Sequence, residues 1–258
     1  DLSDEINLNS GGISLSVTSY QKFPDNGEKA PSGEENSSLD DFTGLFVASA
    51  RVLYDKLDFG MSAIAEILRD SILEDTKRLG EIVAETRSKS QMKLNSASHS
   101  AAVSRANSYF SAAAAFGDLT GGIGYYQFLE DTAAHYEERK EELSRRLRET
   151  AEKLFTADNM IISYTADAEG IKALENSLGI LRDRLPAGGG KIYPFKWEKG
   201  NKNEGFMTSS QVNYMARCGN FLGSGFSYTG ALKILKPVLG YDYLWINVRV
   251  KGGAYGVM

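Results

Sequence analysis

The sequence predicts an α+β fold in two parts, on three observations. Near the start of the chain, one short segment alternates apolar and polar residues and a second is an apolar segment of strand length, which together indicate two strands. From residue 61 to residue 155, apolar residues instead recur at helical spacing. A stretch rich in glycine and lysine, 186–203, then separates this part from a further strand and two helices.

Two strands are predicted at the start of the chain. Ile13–Thr18 alternates apolar with polar residues, and Thr43–Ala50 is a second apolar segment of strand length. Between them, residues 24–38 are polar and rich in proline and glycine, which predicts a long loop. The two strands are therefore expected to form a hairpin around that loop.

The central part is predicted to be a set of packed helices. Two of them cover 61–68 and 79–83, with a capping break at Glu74-Asp75-Thr76 between them. Small residues at 96–102 allow a further helix to pack closely. After a glycine break at Gly121–Gly124, the strongest helical pattern extends from Tyr125 to Phe155.

The end of the first part and the glycine-rich stretch follow. Asn159–Thr165 has the composition of a strand, and Ala168–Leu185 has the pattern of a short helix. Residues 186–203 contain three consecutive glycines, a further proline and several lysines. They are interpreted as a linker and as the domain boundary.

The second part is predicted to begin with a strand and continue as two helices. Residues 205–216 alternate, and Gly223–Gly225 reads as a turn. An amphipathic helix follows over 231–238, where Pro237 is tolerated because it lies near the helix end. The last helix is expected to begin with Asp242 as its N-cap and to stop at Gly252-Gly253.

Composition and charge limit the classes of function. The chain has 42% hydrophobic and 24% charged residues, as in ordinary globular proteins, and a net charge of −5. That charge argues against nucleic acid or an anionic membrane surface as the main partner. Cys218 is the single cysteine, which excludes an intrachain disulfide, and no signal opens the chain. The localisation is therefore expected to be cytoplasmic.

Common catalytic and binding motifs are missing from the sequence. His99 and His135 are 36 positions apart, so they cannot form a helical two-histidine metal motif, and no metal site is predicted. The glycines at 121–124 lack the Lys-Ser/Thr of a phosphate-binding loop. Gly223–Gly225 is only a fragment of a nucleophile elbow.

The segment 249–256, Arg-Val-Lys-Gly-Gly-Ala-Tyr-Gly, carries the candidate chemistry. Arg249 and Tyr255 are six positions apart and are joined by Gly252 and Gly253. A guanidinium and a phenol that converge on one peptide carbonyl would bind it and stabilise the oxyanion formed when water attacks. The alternative interpretation is an unrelated surface arginine and strand tyrosine.

Several segments together resemble the insulinase/pitrilysin family of zinc metallopeptidases, and most closely its presequence-protease branch. The specific one is the arginine-tyrosine segment 249–256 in its Gly-Gly-Ala-Tyr-Gly setting. The supporting segments are 9–14, 99–102, 122–126, 155–159, 211–214, 228–232 and 243–245. The resemblance therefore covers nearly the whole chain.

The resemblance implies a fold and a domain assignment. Proteins of this family have four related α+β domains, each an antiparallel sheet packed with helices as a sandwich, in two halves joined by a linker. By this resemblance, residues 1–185 match most of the third domain and 186–203 a linker. Residues 204–258 match the truncated start of the fourth, and both ends are expected to be cuts in a longer polypeptide.

The resemblance also implies an activity and its components. Arg249 and Tyr255 match the family's catalytic substrate-binding pair, with Gly252 and Gly253 beside the substrate. The H-x-x-E-H zinc motif of the N-terminal half is absent here. Zinc is therefore expected in the parent and not on this chain, which alone is expected to be inactive. The expected partners are a peptide substrate and the N-terminal half, with no nucleic acid or membrane.

Two functional hypotheses remain open at this point. The first is a fragment of the C-terminal half of a zinc metalloendopeptidase that hydrolyses peptides in an enclosed chamber. In that case this part closes the chamber. The alternative is a non-catalytic structural or partner subunit of the same superfamily. Retention of both Arg249 and Tyr255 favours the first.

Overall fold

The computed structural model describes residues 1–21, 42–189, 193–221 and 226–257. The chain divides into two compact units. The first contains Asp1–Gln21 and Phe42–Cys218, and the second includes 219–221 and 226–257 of the described residues. The mixture of helices with an antiparallel sheet confirms the α+β class.

The first unit contains eight α-helices among its described residues. They are α1 (Leu2–Asn9), α2 (Leu57–Arg69), α3 (Thr76–Ser96), α4 (Ser98–Asn107), α5 (Ala112–Gly121), α6 (Ile123–Ala134), α7 (Tyr136–Leu154) and α8 (Ala168–Arg182). Short 3-10 turns lie at Tyr54–Lys56 and Ala157–Asn159. Asp75 caps α3 by accepting the Arg78 N–H at 2.9 Å, which confirms the predicted capping break.

The predicted hairpin is confirmed. Strands β1 (Ile13–Gln21) and β2 (Phe42–Ala50) pair antiparallel, from Ile13 opposite Ala50 to Gln21 opposite Phe42. One face packs on helices, since the Phe42 ring lies 5.3 Å from Phe116 and the Phe46 ring lies 4.9 Å from Phe155. The loop predicted at 24–38 lies outside the described residues.

The core of the first unit lies between α2 and α8. Ile64 and Ala65 of α2 are buried against Leu181 of α8 and against Leu185 just beyond it. Residues of the hairpin and of the segment after α7 complete the cluster: Ile13, Ala48, Phe155, Ala157 and Met160. The core is therefore built from residues that lie far apart in sequence.

The helix predicted from Tyr125 to Phe155 is in fact two helices. The backbone leaves the helical region at His135 (φ −117°, ψ 28°), which ends α6 and precedes α7. The break lets the Tyr136 ring pack on Gly80 of α3, where a β-carbon would approach it to 2.7 Å. The Tyr136 hydroxyl also donates to the Thr76 carbonyl at 2.5 Å. Helix α5 had no counterpart among the sequence-based predictions.

Both strands predicted beyond the hairpin are wrong. Asn159–Thr165 forms no strand: Asn159 ends a 3-10 turn, residues 160–165 pair with no strand among the described residues, and Ile161 is 83% exposed. Residues 205–216 likewise form no strand. A strand requires a hydrogen-bonded neighbour, and alternation alone does not supply one. Residues 205–216 instead belong to an irregular segment, 193–218, which we call the strap.

The second unit contains one continuous helical stretch among its described residues. Helix α9 (Ala231–Val238) is confirmed, with Pro237 one residue before its end. It continues directly into a π-helix, Leu239–Lys251. The prediction of Asp242 as an N-cap is wrong because the backbone is already helical at Val238 and Leu239, so Asp242 lies inside the helix. The turn predicted at Gly223–Gly225 lies outside the described residues.

Candidate substrate-binding segment

The predicted site residues lie on the two sides of a helix end. Arg249 belongs to the last turn of the π-helix, and Gly252 ends the helix. Tyr255 lies three positions after Gly252. The predicted stop at Gly252-Gly253 is confirmed. Residues 254–257 form no strand, so Tyr255 lies in an irregular segment.

Both glycines have a structural reason in this geometry. Gly253 adopts φ +73°, a left-handed conformation that glycine occupies without steric cost. A β-carbon on Gly252 would approach the Val248 carbonyl oxygen to 2.6 Å. The N–H groups of Gly253 and Ala254 donate to the carbonyls of Arg249 and Val248, at 2.9 and 3.2 Å. We call Gly252–Ala254 the glycine cap.

Arg249 is held by an aromatic ring. Its guanidinium carbon lies 4.1 Å from the centroid of the Trp245 ring, one helical turn earlier. A cation stacked on a tryptophan face in this way is stabilised by the ring quadrupole and loses part of its side-chain freedom. A guanidinium carries five N–H donors and no acceptor, so it can still donate to an acceptor of a ligand.

Tyr255 presents its ring to solvent. The side chain is 92% exposed and makes no hydrogen bond to any residue that the structure describes. A phenol in this state can donate its O–H to a ligand without first breaking an internal bond. Within the described residues, no hydrogen bond or ring contact joins Arg249 to Tyr255. The structure therefore places the two groups around one helix end but does not fix a convergent pair.

The described residues do not fit a zinc ion. No group of three or more His, Cys, Asp or Glu side chains that could hold a metal occurs in 1–21, 42–189, 193–221 and 226–257. His135 pairs with Asp131 one turn earlier, at 3.1 Å, while the His99 ring lies 6.1 Å from the Tyr214 ring. His135 is thus paired with a carboxylate, and His99 lies beside an aromatic ring.

The glycine segment 121–124 lies around the carboxylate of Asp118. Asp118 is 4% exposed, and its carboxylate accepts the N–H groups of Ile123 and Gly124, at 3.1 and 3.2 Å. A β-carbon on Gly122 or Gly124 would approach this carboxylate to 2.6 Å. The start of α6 is therefore an anion site filled by Asp118, in accord with the rejection of a phosphate-binding loop.

Sequence analysis missed one group of interacting residues altogether. Arg105 of α4 bridges the carboxylates of Asp118 and Glu204, and the Tyr109 hydroxyl donates to Glu204. Glu204 is 99 positions from Arg105. The sequence carries no local signal for such a pair, since each residue alone reads as an ordinary surface charge.

A helix must be long and apolar to cross a bilayer. No helix among the residues that the structure describes meets both requirements.

Two family models match the chain. The model for the peptidase M-16C associated domain matches residues 1–131, and the model for the PreP C-terminal domain matches residues 203–258. The first match contains the hairpin and the helices α1 to α5, with most of α6. The second contains the strap from residue 203 onward, helix α9, the π-helix and the glycine cap.

Three relatives show the same similarity. Protein HypA of Clostridium perfringens is 31% identical over 99% of this chain and 25% of its own length. Presequence protease 1, chloroplastic/mitochondrial, of Arabidopsis thaliana is 27% identical over 74% of this chain and 18% of its own. The mitochondrial presequence protease of Yarrowia lipolytica is 26% identical over 99% of this chain and 25% of its own. The chain thus spans a quarter or less of these relatives.

Proposed function

Because the chain belongs to the peptidase M-16C associated family, as its resemblance to the presequence-protease branch predicted, we propose that it is a piece of the C-terminal half of a zinc-dependent endopeptidase. This piece closes the chamber in which peptides are hydrolysed. The match of residues 203–258 to a C-terminal domain and the two relatives named presequence protease support the assignment.

The proposed domain division has residues 1–185 as most of the third domain, 186–203 as a linker and 204–258 as the start of the fourth. The C-terminal family match that begins at residue 203 supports the last boundary. The packing of the β1–β2 hairpin on α5 and on Phe155 supports a sandwich of sheet and helices in the first domain.

The proposed chemistry rests on Tyr255. Its phenol is exposed and makes no hydrogen bond within the described part of the chain, and it follows a helix end whose glycine cap sets its position. Tyr255 donates its O–H to the substrate carbonyl oxygen, which gains negative charge as the peptide bond is attacked. Arg249, held over Trp245, donates to the same oxygen or to a neighbouring substrate carbonyl.

The remaining components are proposed to come from the rest of the polypeptide. The zinc ligands are assigned to the N-terminal half of the parent, because the described residues of this chain form no metal-binding group. The partners of this piece are then that half and the peptide substrate. The cytoplasmic localisation remains a prediction, since the two presequence proteases compared are named for the mitochondrion or for the chloroplast and mitochondrion.

The function is tested by Tyr255→Phe in the intact parent protein. Removing one hydrogen-bond donor to a developing oxyanion typically lowers kcat by about 100- to 1000-fold. We expect a loss of that size with unchanged zinc content. The matched control is Tyr241→Phe, because Tyr241 is another exposed tyrosine of the second unit and has no proposed role.

The outcomes separate the two hypotheses. Full activity in Tyr255→Phe would remove the catalytic assignment of this residue while leaving the family membership intact. A parent that binds no zinc and cleaves no peptide would instead support the non-catalytic structural subunit. In that case Arg249 and Tyr255 would have no catalytic role.

A further inference from the structure

The strap lies along helix α4 through several separate contacts. The Gly200 N–H donates to the Tyr109 carbonyl at 3.1 Å, just beyond the end of α4. Farther along, the Tyr214 ring faces His99, and the Cys218 sulfur lies 3.9 Å from the Val103 carbonyl oxygen. None of these contacts is strong alone, and the strap has no helix or strand of its own to stabilise it.

Arg105 provides the strong contact between α4 and the strap. Its Nε and Nη2 donate to the two oxygens of Glu204, at 2.8 and 3.0 Å, in the bidentate geometry that suits arginine and carboxylate. The guanidinium carbon also lies 5.8 Å from the Phe206 ring centroid. The Glu204 carboxylate additionally accepts from the Tyr109 hydroxyl.

The other side of the same guanidinium is fixed to the helices. Arg105 Nη1 donates to Asp118 at 2.5 Å, and the Asp118 side chain is only 2% exposed. Asp118 is itself bound by the N–H groups that begin α6. Asp118 thus orients the Arg105 guanidinium through contacts that do not involve the strap, which lowers the conformational entropy lost on pairing with Glu204.

We infer that Arg105 is a positioning residue, which fastens the beginning of the C-terminal family module to the helices of the module before it. Arg105 and Asp118 lie in the match at 1–131, whereas Glu204 is the second residue of the match at 203–258. We call Asp118, Arg105 and Glu204 the clasp. This inference does not depend on the proposed peptidase activity.

Cys218 provides the measurement. It is the single cysteine of the chain, it lies at the end of the strap, and it is partly buried on α4. Its rate of reaction with a soluble disulfide reagent such as DTNB therefore reports how often the strap detaches. Tryptic cleavage after Lys199 and Lys202, both within the strap, gives a second and independent report.

The test uses Glu204→Gln in the full chain, because this change leaves the buried Arg105–Asp118 pair intact and the helices folded. Loss of one charge-assisted pair should raise the Cys218 rate about threefold to tenfold and speed the tryptic cleavage. The matched control is Glu149→Gln, which removes an exposed pair with Arg145 on α7 and should change the rate less than about twofold.

A second variant distinguishes positioning from general stability. Arg105→Lys keeps the charge but cannot bridge two carboxylates. It should raise the Cys218 rate when introduced into the wild-type protein and add little when introduced into Glu204→Gln. Equal rates for Glu204→Gln and Glu149→Gln would overturn the inference. So would additive effects of Glu204→Gln and Arg105→Lys on the Cys218 rate.

Discussion

The Arg105 guanidinium holds the pKa of the Glu204 carboxyl down at about 2, chiefly through the two hydrogen bonds that it donates. Tyr109 donates a further hydrogen bond to this carboxylate and Lys202 adds positive charge nearby, while Asp118 faces the same guanidinium from the other side. Burial and the bond to Glu204 raise the pKa of the Tyr109 hydroxyl to about 12. Tyr109 therefore stays protonated, as a donor, throughout the range in which Glu204 titrates.

The depressed pKa of Glu204 predicts a loss of stability in acid. A carboxyl with a lower pKa when folded contributes its full stabilisation above its ordinary pKa of 4.5. That contribution is lost as the pH falls from there toward 2. The free energy of unfolding of the wild type should therefore fall more than that of Glu204→Gln between about pH 6 and pH 3. Urea unfolding of both proteins at these pH values measures the difference.

Parallel pH dependence of the wild type and Glu204→Gln would contradict this expectation. Glu149→Gln is again the control, since its carboxyl belongs to an exposed pair on α7 and its loss should leave the pH dependence close to that of the wild type.

At the scale of elements, the glycine cap determines where the π-helix ends and how the chain continues to Tyr255. The helix could not end in this geometry with a side chain at residue 252, because the β-carbon would collide with the Val248 carbonyl. The two amides that follow are satisfied only through the cap, by the carbonyls of Arg249 and Val248. The orientation of the candidate site thus depends on one small backbone motif.

Gly252→Ala should disrupt the cap. The collision at 2.6 Å involves backbone atoms, so the helix end must shift to admit the methyl group. We expect amide hydrogen exchange at Gly253 and Ala254 to become at least about tenfold faster, in proportion to a local loss of roughly 1.4 kcal/mol. Gly256→Ala is the matched control, because a β-carbon there meets no atom within 4 Å. Unchanged exchange in Gly252→Ala would show that the cap does not depend on this glycine.

At the scale of the whole molecule, stability of the first unit depends on contacts between α2 and the region of α8. Leu181 is 6% exposed and packs in the same buried cluster as Ile64 and Ala65 of α2. These helices lie far apart in sequence, so this core depends on long-range contacts. The hairpin residues Ile13 and Ala48 pack against the same cluster.

Leu181→Ala should lower the free energy of unfolding by about 2–4 kcal/mol, since it removes buried methyl groups and leaves a cavity. Ile161→Ala also shortens a large aliphatic side chain, but at an exposed position, and should cost less than about 0.5 kcal/mol. Urea unfolding followed by far-ultraviolet circular dichroism measures both. Equal effects of the two variants would contradict the assignment of the core.

The sequence was sufficient wherever the decisive interactions are local. The first hairpin strand follows from alternation and the second from its apolar segment. The start of α3 follows from Asp75, and the end of the last helix from the Gly252-Gly253 pair. The family was also recognisable, because each segment that carries the resemblance is contiguous, and the two family matches confirm it. In each case the residues that carry the signal lie within a few positions of one another, so the feature can be predicted without knowledge of the tertiary structure.

The tertiary structure alone decided the features that depend on distant partners. The segment 159–165 has the composition of a strand but no neighbour to pair with among the described residues. The alternating residues 205–216 contact α4 instead of a sheet. The break at His135 follows from the packing of Tyr136 on α3. The clasp joins residues up to 99 positions apart. Charge and hydrophobicity specify that such residues need partners, but only folding determines which partners they meet.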